Sequence, residues 1–150
     1  MKSIEFQIAK GEVYNEVAKT TSYTGAKMEN DEDAYDRIFT TDEDKAMLER
    51  FWNESKNMVA GSLKKVLGTE QEVSDLYTLE LELSNSFDEN LKESMQRSLF
   101  SFFVMNITSK WYTFTNKKEA ESYAKSAATD MEDILRKAYF KKKPIRPTYE

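Results

Sequence analysis

The side chains that carry most enzyme chemistry are missing from this sequence. It contains neither histidine nor cysteine, which excludes histidine bases, thiol nucleophiles, disulfides and thiolate zinc sites. Its four glycines form no phosphate-binding loop, and its 27 acidic residues show no spacing that singles out a catalytic pair. The sequence therefore predicts a protein that is not an enzyme and holds no cofactor or metal.

A block of positive charge near the C-terminus is the first candidate for a binding role. The stretch from Arg136 to Arg146 contains no acidic residue, and its candidate contacts are Lys141, Lys142, Lys143 and Arg146. Such a cluster can bind phosphates of nucleic acids. The net charge of -5 instead favours a solvated helix end, with cations at the negative end of the helix dipole. Docking on an acidic protein surface is a third interpretation.

A block of negative charge lies in the first third of the chain. Its members are Glu29, Asp31, Glu32, Asp33 and Asp36, followed by Asp42, Glu43 and Asp44. The opening resembles a calcium loop, but the glycine and the closing glutamate of an EF-hand are absent. Solvated charge is therefore the favoured interpretation. A further hypothesis is that this block binds the basic tail of a neighbouring subunit in a ring.

Two segments alternate between apolar and polar residues, which is the pattern of half-buried strands. They are residues 3–8, with Ile4, Phe6 and Ile8 on one face, and residues 76–84. A ribbon of two strands is marginal in water. The pair is therefore expected either to form one ribbon or to add to strands of another subunit.

Helices are expected in the rest of the chain, over residues 12–20, 41–68 and 86–114 and from residue 116 onward. The helix over 41–68 has the clearest ends, because Thr41 is a good N-cap and Gly68 a good C-terminal stop. Residues 22–30 are polar and are expected to form a loop. Trp52 and Trp111 are expected to pack between helices rather than to stack on bases.

The third of these helices is apolar on nearly every side between Leu99 and Ile107. Phe100, Val104 and Met105 add a second apolar face to its inner stripe. A helix that is apolar all round is buried all round. It is expected either to be the central helix of the domain or to contact another subunit through Phe100, Val104 and Met105.

Together these elements predict a mainly α fold: a helical bundle with two long core helices, a C-terminal helix, and a minor two-strand β element at residues 3–8 and 76–84. Residues 1–143 are expected to form a single helical domain, followed by an extended tail over 144–150. No stretch approaches the roughly 20 apolar residues of a membrane span, and the N-terminus lacks a secretion signal. Cytosolic synthesis without membrane contact is expected.

The order of the helices resembles that of a known family. A long helix opening with Asp42-Glu43-Asp44, and a very apolar helix in which Phe102-Phe103 leads to Trp111-Tyr112, resemble the head–tail connector proteins of tailed double-stranded DNA phages. A short final element of that family is comparable to residues 133–139. The chain over 41–146 is similar to small structural proteins encoded by phages and prophages of gut Bacteroidetes.

The resemblance implies a structural virion protein without catalytic residues. Such a protein is a subunit of a neck ring, commonly of twelve copies, that docks between portal and tail proteins. The resemblance implies that double-stranded DNA passes through the ring, and the net charge of -5 favours passage without specific binding. The resemblance also implies synthesis in the cytoplasm of the host bacterium. The two strands are not part of the family pattern. The alternative is a soluble helical module that binds another protein through the face containing Phe100, Val104 and Met105.

Overall fold

The computed structural model describes residues 1–25, 42–115 and 117–140 of the chain. The elements follow in the order β1 (Lys2–Ala9), α1 (Lys10–Gly25), α2 (Asp42–Ser62), β2 (Leu67–Val73), β3 (Leu76–Leu83), α3 (Lys92–Thr115) and α4 (Lys117–Ala138). A short 3-10 turn over Glu89–Leu91 precedes α3. The fold is mainly helical, as predicted, and these ranges contain four helices and one small antiparallel sheet.

The two predicted strands pair with each other within this chain. β1 and β3 run antiparallel, with Ile4 opposite Leu81 and Phe6 opposite Leu79. Their alternation places the apolar side chains on one buried face of the sheet. β3 is the central strand, because the order across the sheet is β1–β3–β2.

The expected two-strand element is wrong in number, because the structure adds β2. The sequence predicts one helix from Thr41 to Gly68, but α2 ends at Ser62 and the chain turns over residues 63–66 into a strand that pairs with β3. Gly68 lies at an irregularity of the β2 register, where a Cβ atom would come within 3.1 Å of the Glu80 carbonyl oxygen. The glycine therefore permits a close approach of two strands and does not end a helix.

A two-residue turn joins β2 to β3. Ser74 and Asp75 both have positive φ angles, of 52° and 63°, as in a type I′ hairpin turn. Asn-Gly and Asp-Gly are the usual sequences of this turn, so Ser-Asp is a weak signal of it. The turn fixes the register that places Glu72 opposite Tyr77.

α1 is longer than predicted. The sequence predicts a helix over residues 12–20 and a loop from Ser22, but the helix begins directly after β1 and continues to Gly25. The hydroxyls of Thr20 and Thr21 donate to backbone carbonyls one turn earlier, at 2.8 and 3.0 Å, so both are satisfied inside the helix. The predicted loop is therefore wrong over residues 22–25.

α4 packs antiparallel along α3 and covers one side of it. A row of polar contacts joins the two helices, formed by the pairs Ser94–Lys137, Ser98–Asp133 and Ser101–Asp130. By the 3.6-residue period of a helix, this row lies on the side of α3 opposite Phe103. α3 is therefore enclosed from two sides within the chain.

The core lies between the sheet and the helices, and α4 contributes Ala127, Ile134 and Ala138 to it. Trp52 is fully buried, packs edge-on against Tyr14 and Tyr77, and meets Phe103 at a ring distance of 4.9 Å. Trp111 is partly buried and also packs against this core. Both tryptophans thus pack between elements, as predicted.

Candidate functional site

The densest polar cluster lies where α1 and α2 meet the β2–β3 hairpin. Lys10 Nζ is 2.8 Å from Glu49 Oε1 and 3.5 Å from Asp75 Oδ1. A third carboxylate oxygen, of Glu72, is 3.9 Å away. Burial would lower the pKa of Lys10, but the hydrogen bond and the nearby negative charges outweigh it and raise that pKa. Lys10 is therefore a fixed cation and not a proton acceptor.

Glu72 ties the hairpin to α2. Its two carboxylate oxygens accept hydrogen bonds from Trp52 Nε1 at 2.6 Å and from Lys56 Nζ at 2.8 Å. Burial would raise the pKa of Glu72, but these bonds outweigh it and lower the pKa. Beside it, Tyr77 donates to Glu70 at 2.6 Å, and burial together with that bond raises the pKa of Tyr77. Glu72 therefore stays ionised and Tyr77 stays neutral near pH 7.

This polar cluster connects elements of the fold and presents no group suited to proton transfer near neutral pH. The cleft beside it has a volume of about 170 Å³ and is lined by Lys56, Asn57, Glu70, Gln71, Glu72 and Tyr77. Small-molecule sites usually have volumes of roughly 300–1,000 Å³. The arrangement therefore supports a structural role for the cluster.

Both edges of the sheet carry features that hinder a further strand. On β1, the side-chain amide of Gln96 accepts from the Gln7 N–H at 3.0 Å and donates to the Gln7 carbonyl at 2.5 Å. The amide thus imitates a paired strand. On β2, Glu70 and Glu72 lie opposite buried residues of β3, and inward charges on an edge strand discourage pairing. This geometry disfavours assembly through added strands.

A groove opens between the C-terminal ends of α2 and α4. We call it the helix-end groove; its volume is about 650 Å³ and its lining residues are Gly61, Ser62, Lys64, Lys65, Leu135 and Tyr139. Tyr139 in this lining is 45% exposed, and the next residue in the chain, Phe140, is 47% exposed. Exposed apolar groups beside a groove mark contact sites. This groove is the candidate docking surface.

The helix-end groove has a positive rim. Lys64 and Lys65 are exposed, and no ion pair within the described ranges involves either of them. The lining contains no carboxylate. The negative dipole ends of α2 and α4 offset part of this charge. The groove thus combines apolar lining with positive charge that the described residues leave uncompensated.

The residues that the sequence singles out lie elsewhere. Val104 is 5% exposed and belongs to the core, while Phe100 and Met105 are partly buried and pack against it. Their role in contacting another protein stays a prediction, for which Phe100 and Met105 retain some surface. The other predicted contacts lie outside the described residues and follow Phe140 in the chain: Lys141, Lys142, Lys143 and Arg146.

The sequence does not reveal the helix-end groove. Lys64 and Lys65 have the spacing of cations in the last turn of a longer helix, whereas α2 ends before them. Leu135 has the spacing of an inward residue, and it is only partly buried because it faces the groove. The one local signal is Gly61-Ser62 before two lysines, since glycine and serine favour a helix end.

The part of the chain that the structure describes contains no metal-binding cluster and no membrane-spanning helix. There, no three side chains of the metal-ligating types come together to hold an ion. None of the helices in those ranges is long and apolar enough to cross a bilayer. No family model, curated protein or solved structure matches the chain.

Proposed function

We propose that the chain is a structural protein of a tailed phage, a head–tail connector subunit that assembles in a ring between portal and tail. The observation that carries the proposal is the helix-end groove, a positive and partly apolar surface beside Phe140, from which the basic stretch continues. The groove is free to contact a neighbour, whereas the polar cluster around Lys10 is occupied by contacts within the chain. The order of the helices, which resembles that of connector proteins, supports this type of assembly.

The proposed role is mechanical. α3 and α4 form an antiparallel pair, and the 24 residues of α3 give it a length of about 36 Å. The serine contacts to Asp130 and Asp133 fix the register of this pair and make it a stiff wedge between neighbours. A net charge of -5 suits a ring through which DNA slides without being held.

The mass of the assembly is the first test. Light scattering after gel filtration should detect a large uniform ring, for the isolated chain or for the chain co-expressed with the proteins of its neighbouring genes. Electron microscopy of the same sample should show a closed ring with a central channel. A monomer or dimer in both samples would contradict the connector proposal.

A pair of matched variants tests the surface itself. Replacing Tyr139 and Phe140 by serine should abolish the ring, because it removes the exposed aromatic side chain of the groove and the exposed one that follows it. Val73→Ser removes another exposed apolar side chain, 60% exposed near the hairpin turn, and should leave the ring intact. Loss of the ring in both variants would indicate general destabilisation instead of a specific contact.

A soluble module that binds one partner protein is the second candidate function. The same groove favours it, since a groove of this size fits an apolar anchor side chain of any protein. A stable one-to-one complex with a co-expressed neighbour, and no ring, would identify this function.

A further inference from the structure

The apolar part of the helix-end groove comes from the end of α4. The Tyr139 N–H donates to the Leu135 carbonyl at 3.1 Å, so the helical spacing continues to Tyr139 and the two side chains lie on one face of the helix. Leu135 is only partly buried and Tyr139 is exposed. Together they give the groove an apolar wall that the described residues leave partly uncovered.

On the α2 side, the groove is open. Gly61 lines it without a side chain, and a Cβ atom placed at Gly61 would meet nothing within 4 Å. The volume of the groove, about 650 Å³, is within the range of roughly 300–1,000 Å³ that encloses a small ligand. The groove therefore has room for a bulky side chain of another molecule, which would pack against Leu135 and Tyr139.

The charge of the groove is opposite in sign to that of the chain. The chain has a net charge of -5, whereas the lining contains Lys64 and Lys65 and no carboxylate. Neither lysine forms an ion pair within residues 1–25, 42–115 and 117–140. The residues that follow Phe140 in the sequence are also basic. The groove therefore favours an occupant with negative charge.

A second copy of the chain presents no matching segment in the ranges that the structure describes. Apart from those at the groove, the exposed large apolar side chains there are Met1, Met58 and Val73. Beside Val73, Glu72 and Asp75 already form ion pairs within the chain. One turn before Met58, Glu54 does the same, and the N-terminal methionine is followed by a lysine. The acidic block over residues 29–36 lies outside the described residues. A different protein is therefore the better source of the occupant.

The DNA backbone is the other anionic ligand that the lysines could bind. Its phosphates would match the charge, but a duplex has no apolar side chain to pack against Leu135 and Tyr139. A duplex is also a convex cylinder that binds extended basic surfaces, whereas the lining of this groove contains two lysines and has the size of a small-ligand pocket. The combination of apolar wall and positive charge thus favours a protein segment over DNA.

We propose that the helix-end groove binds an acidic segment of another protein through one bulky apolar side chain. That side chain packs against Leu135 and Tyr139, and carboxylates on either side of it pair with Lys64 and Lys65. The apolar anchor supplies most of the binding free energy, and the carboxylates supply selectivity. This inference rests on the proposed connector function, because a connector docks on other proteins, and it names the chemistry of one docking segment.

Short labelled peptides test both parts of this chemistry. Fluorescein-labelled Asp-Glu-Ser-Phe-Asp-Glu, the acidic peptide, is titrated with the full chain, and binding is followed by fluorescence anisotropy. The same peptide with serine in place of phenylalanine should bind roughly tenfold more weakly, because it lacks the apolar surface that the groove buries. A peptide with lysine in place of each acidic residue should bind more weakly still, because Lys64 and Lys65 repel it. Added salt should weaken binding of the acidic peptide.

A steric block at Gly61 tests whether the peptide enters the groove. Gly61 does not have a positive φ angle, and leucine favours a helix more than glycine does, so Gly61→Leu should fold with an unchanged or higher thermal midpoint. Its side chain occupies the open side of the groove and should weaken binding of the acidic peptide roughly tenfold. Gly11→Leu is the matched control, because Gly11 is also a helical glycine whose added Cβ meets nothing within 4 Å and lies outside the lining. This control should bind the peptide as the parent chain does.

Charge reversal identifies the cations. Lys64→Glu combined with Lys65→Glu should weaken binding of the acidic peptide by roughly tenfold and strengthen binding of the lysine peptide. Lys117→Glu combined with Lys118→Glu makes the same change in net charge at the other end of α4, where both lysines are exposed. This second pair should change binding by less than roughly twofold, because salt screens charges so far from the groove.

Several results would overturn the inference. One is absence of binding by the acidic peptide, and another is equal binding by the peptide with serine. Equal weakening in Gly61→Leu and Gly11→Leu, or none in Gly61→Leu, would show that the peptide binds elsewhere. A labelled DNA duplex that binds more tightly than the peptide, and that requires Lys64 and Lys65, would assign the groove to nucleic acid.

The mass measurement separates this inference from the connector proposal. If rings form but the acidic peptide does not bind the chain, the inference fails and the connector proposal stands. If the peptide binds and Gly61→Leu blocks it, but no sample contains a ring, the groove binds an acidic segment and the connector proposal fails.

Discussion

Removing the charge of either of two nearby aspartates on α4, Asp130 or Asp133, should change the free energy of unfolding in opposite directions. Asp133 accepts hydrogen bonds from Lys137 and Ser98, each at 2.6 Å. A third bond, from Arg136, is 2.9 Å long. Burial would raise the pKa of Asp133, but these bonds outweigh it and lower the pKa to about 2, from an ordinary value of 3.8. Asp130 accepts one bond from a serine of α3, and burial raises its pKa.

The lowered pKa of Asp133 sets the size of the effect. A change from 3.8 to about 2 corresponds to roughly 2 kcal/mol, at about 1.4 kcal/mol per pH unit. Because 21% of the side chain is exposed, screening by water reduces the stabilisation to about 1–2 kcal/mol. The folded pKa lies below the unfolded one, so this stabilisation is present above about pH 4 and is lost as the pH falls toward 2.

Asp133→Asn is therefore expected to lower the free energy of unfolding by about 1–2 kcal/mol at pH 7. For Asp130 the sign is reversed, because a carboxyl group whose folded pKa is raised costs stability once it ionises. Asp130→Asn should leave the free energy of unfolding unchanged or higher at pH 7. Glu132→Gln removes the same charge from an exposed position between them and serves as the control.

Urea unfolding followed by tryptophan fluorescence measures all three variants at pH 7, 5 and 3. The gap between the parent chain and Asp133→Asn should be equal at pH 7 and 5 and smaller at pH 3. A gap that does not change with pH, or an equal loss in Asp130→Asn, would refute the assignment of these hydrogen bonds.

Three further changes test the sheet and its attachment. Gln96→Ala should cost about 1–2 kcal/mol of unfolding free energy, because it removes both hydrogen bonds to the edge of β1; faster hydrogen exchange of the β1 amides would accompany it, and unchanged exchange would contradict the capping role. Gly68→Ala should lower the thermal midpoint, because the added Cβ meets a backbone oxygen at 3.1 Å. The added Cβ of Gly61→Ala in α2 meets nothing within 4 Å; this variant should raise the thermal midpoint, since alanine stabilises a helix by up to about 1 kcal/mol relative to glycine. Trp52→Phe should cost about 2–3 kcal/mol, through lost core contacts and the lost bond to Glu72, and a smaller loss than for Trp111→Phe in the same melts would argue against this packing.

The regular patterns of the sequence predict most elements of the fold. The alternation of Ile4, Phe6 and Ile8 indicates a strand, and the structure buries these three side chains on one face. The apolar character of α3 indicates a helix enclosed on several sides, and α4 packs along it. These predictions succeed because the period of apolar residues follows directly from the geometry of a strand or a helix.

β2 could not be predicted in the same way. Its inward positions are occupied by Glu70 and Glu72 instead of apolar residues, so it has no alternating apolar pattern. Both carboxylates are satisfied by partners from other elements: Trp52 and Lys56 of α2 bond Glu72, and Tyr77 of β3 bonds Glu70. The strand therefore lacks the apolar alternation that marks a strand, because the contacts of its inward positions are polar ones with side chains of α2 and β3.

The helix-end groove could not be predicted from local patterns either. Lys64 and Lys65 come from the turn after α2, and Leu135 and Tyr139 come from the end of α4. Local pattern assigns the lysines to a helix end and Leu135 to a buried face, and each assignment follows from the chemistry of a single segment. The groove exists because tertiary packing brings the C-terminal ends of α2 and α4 side by side. Local physics therefore specifies the elements, whereas the docking surface depends on long-range packing that no short stretch of sequence encodes.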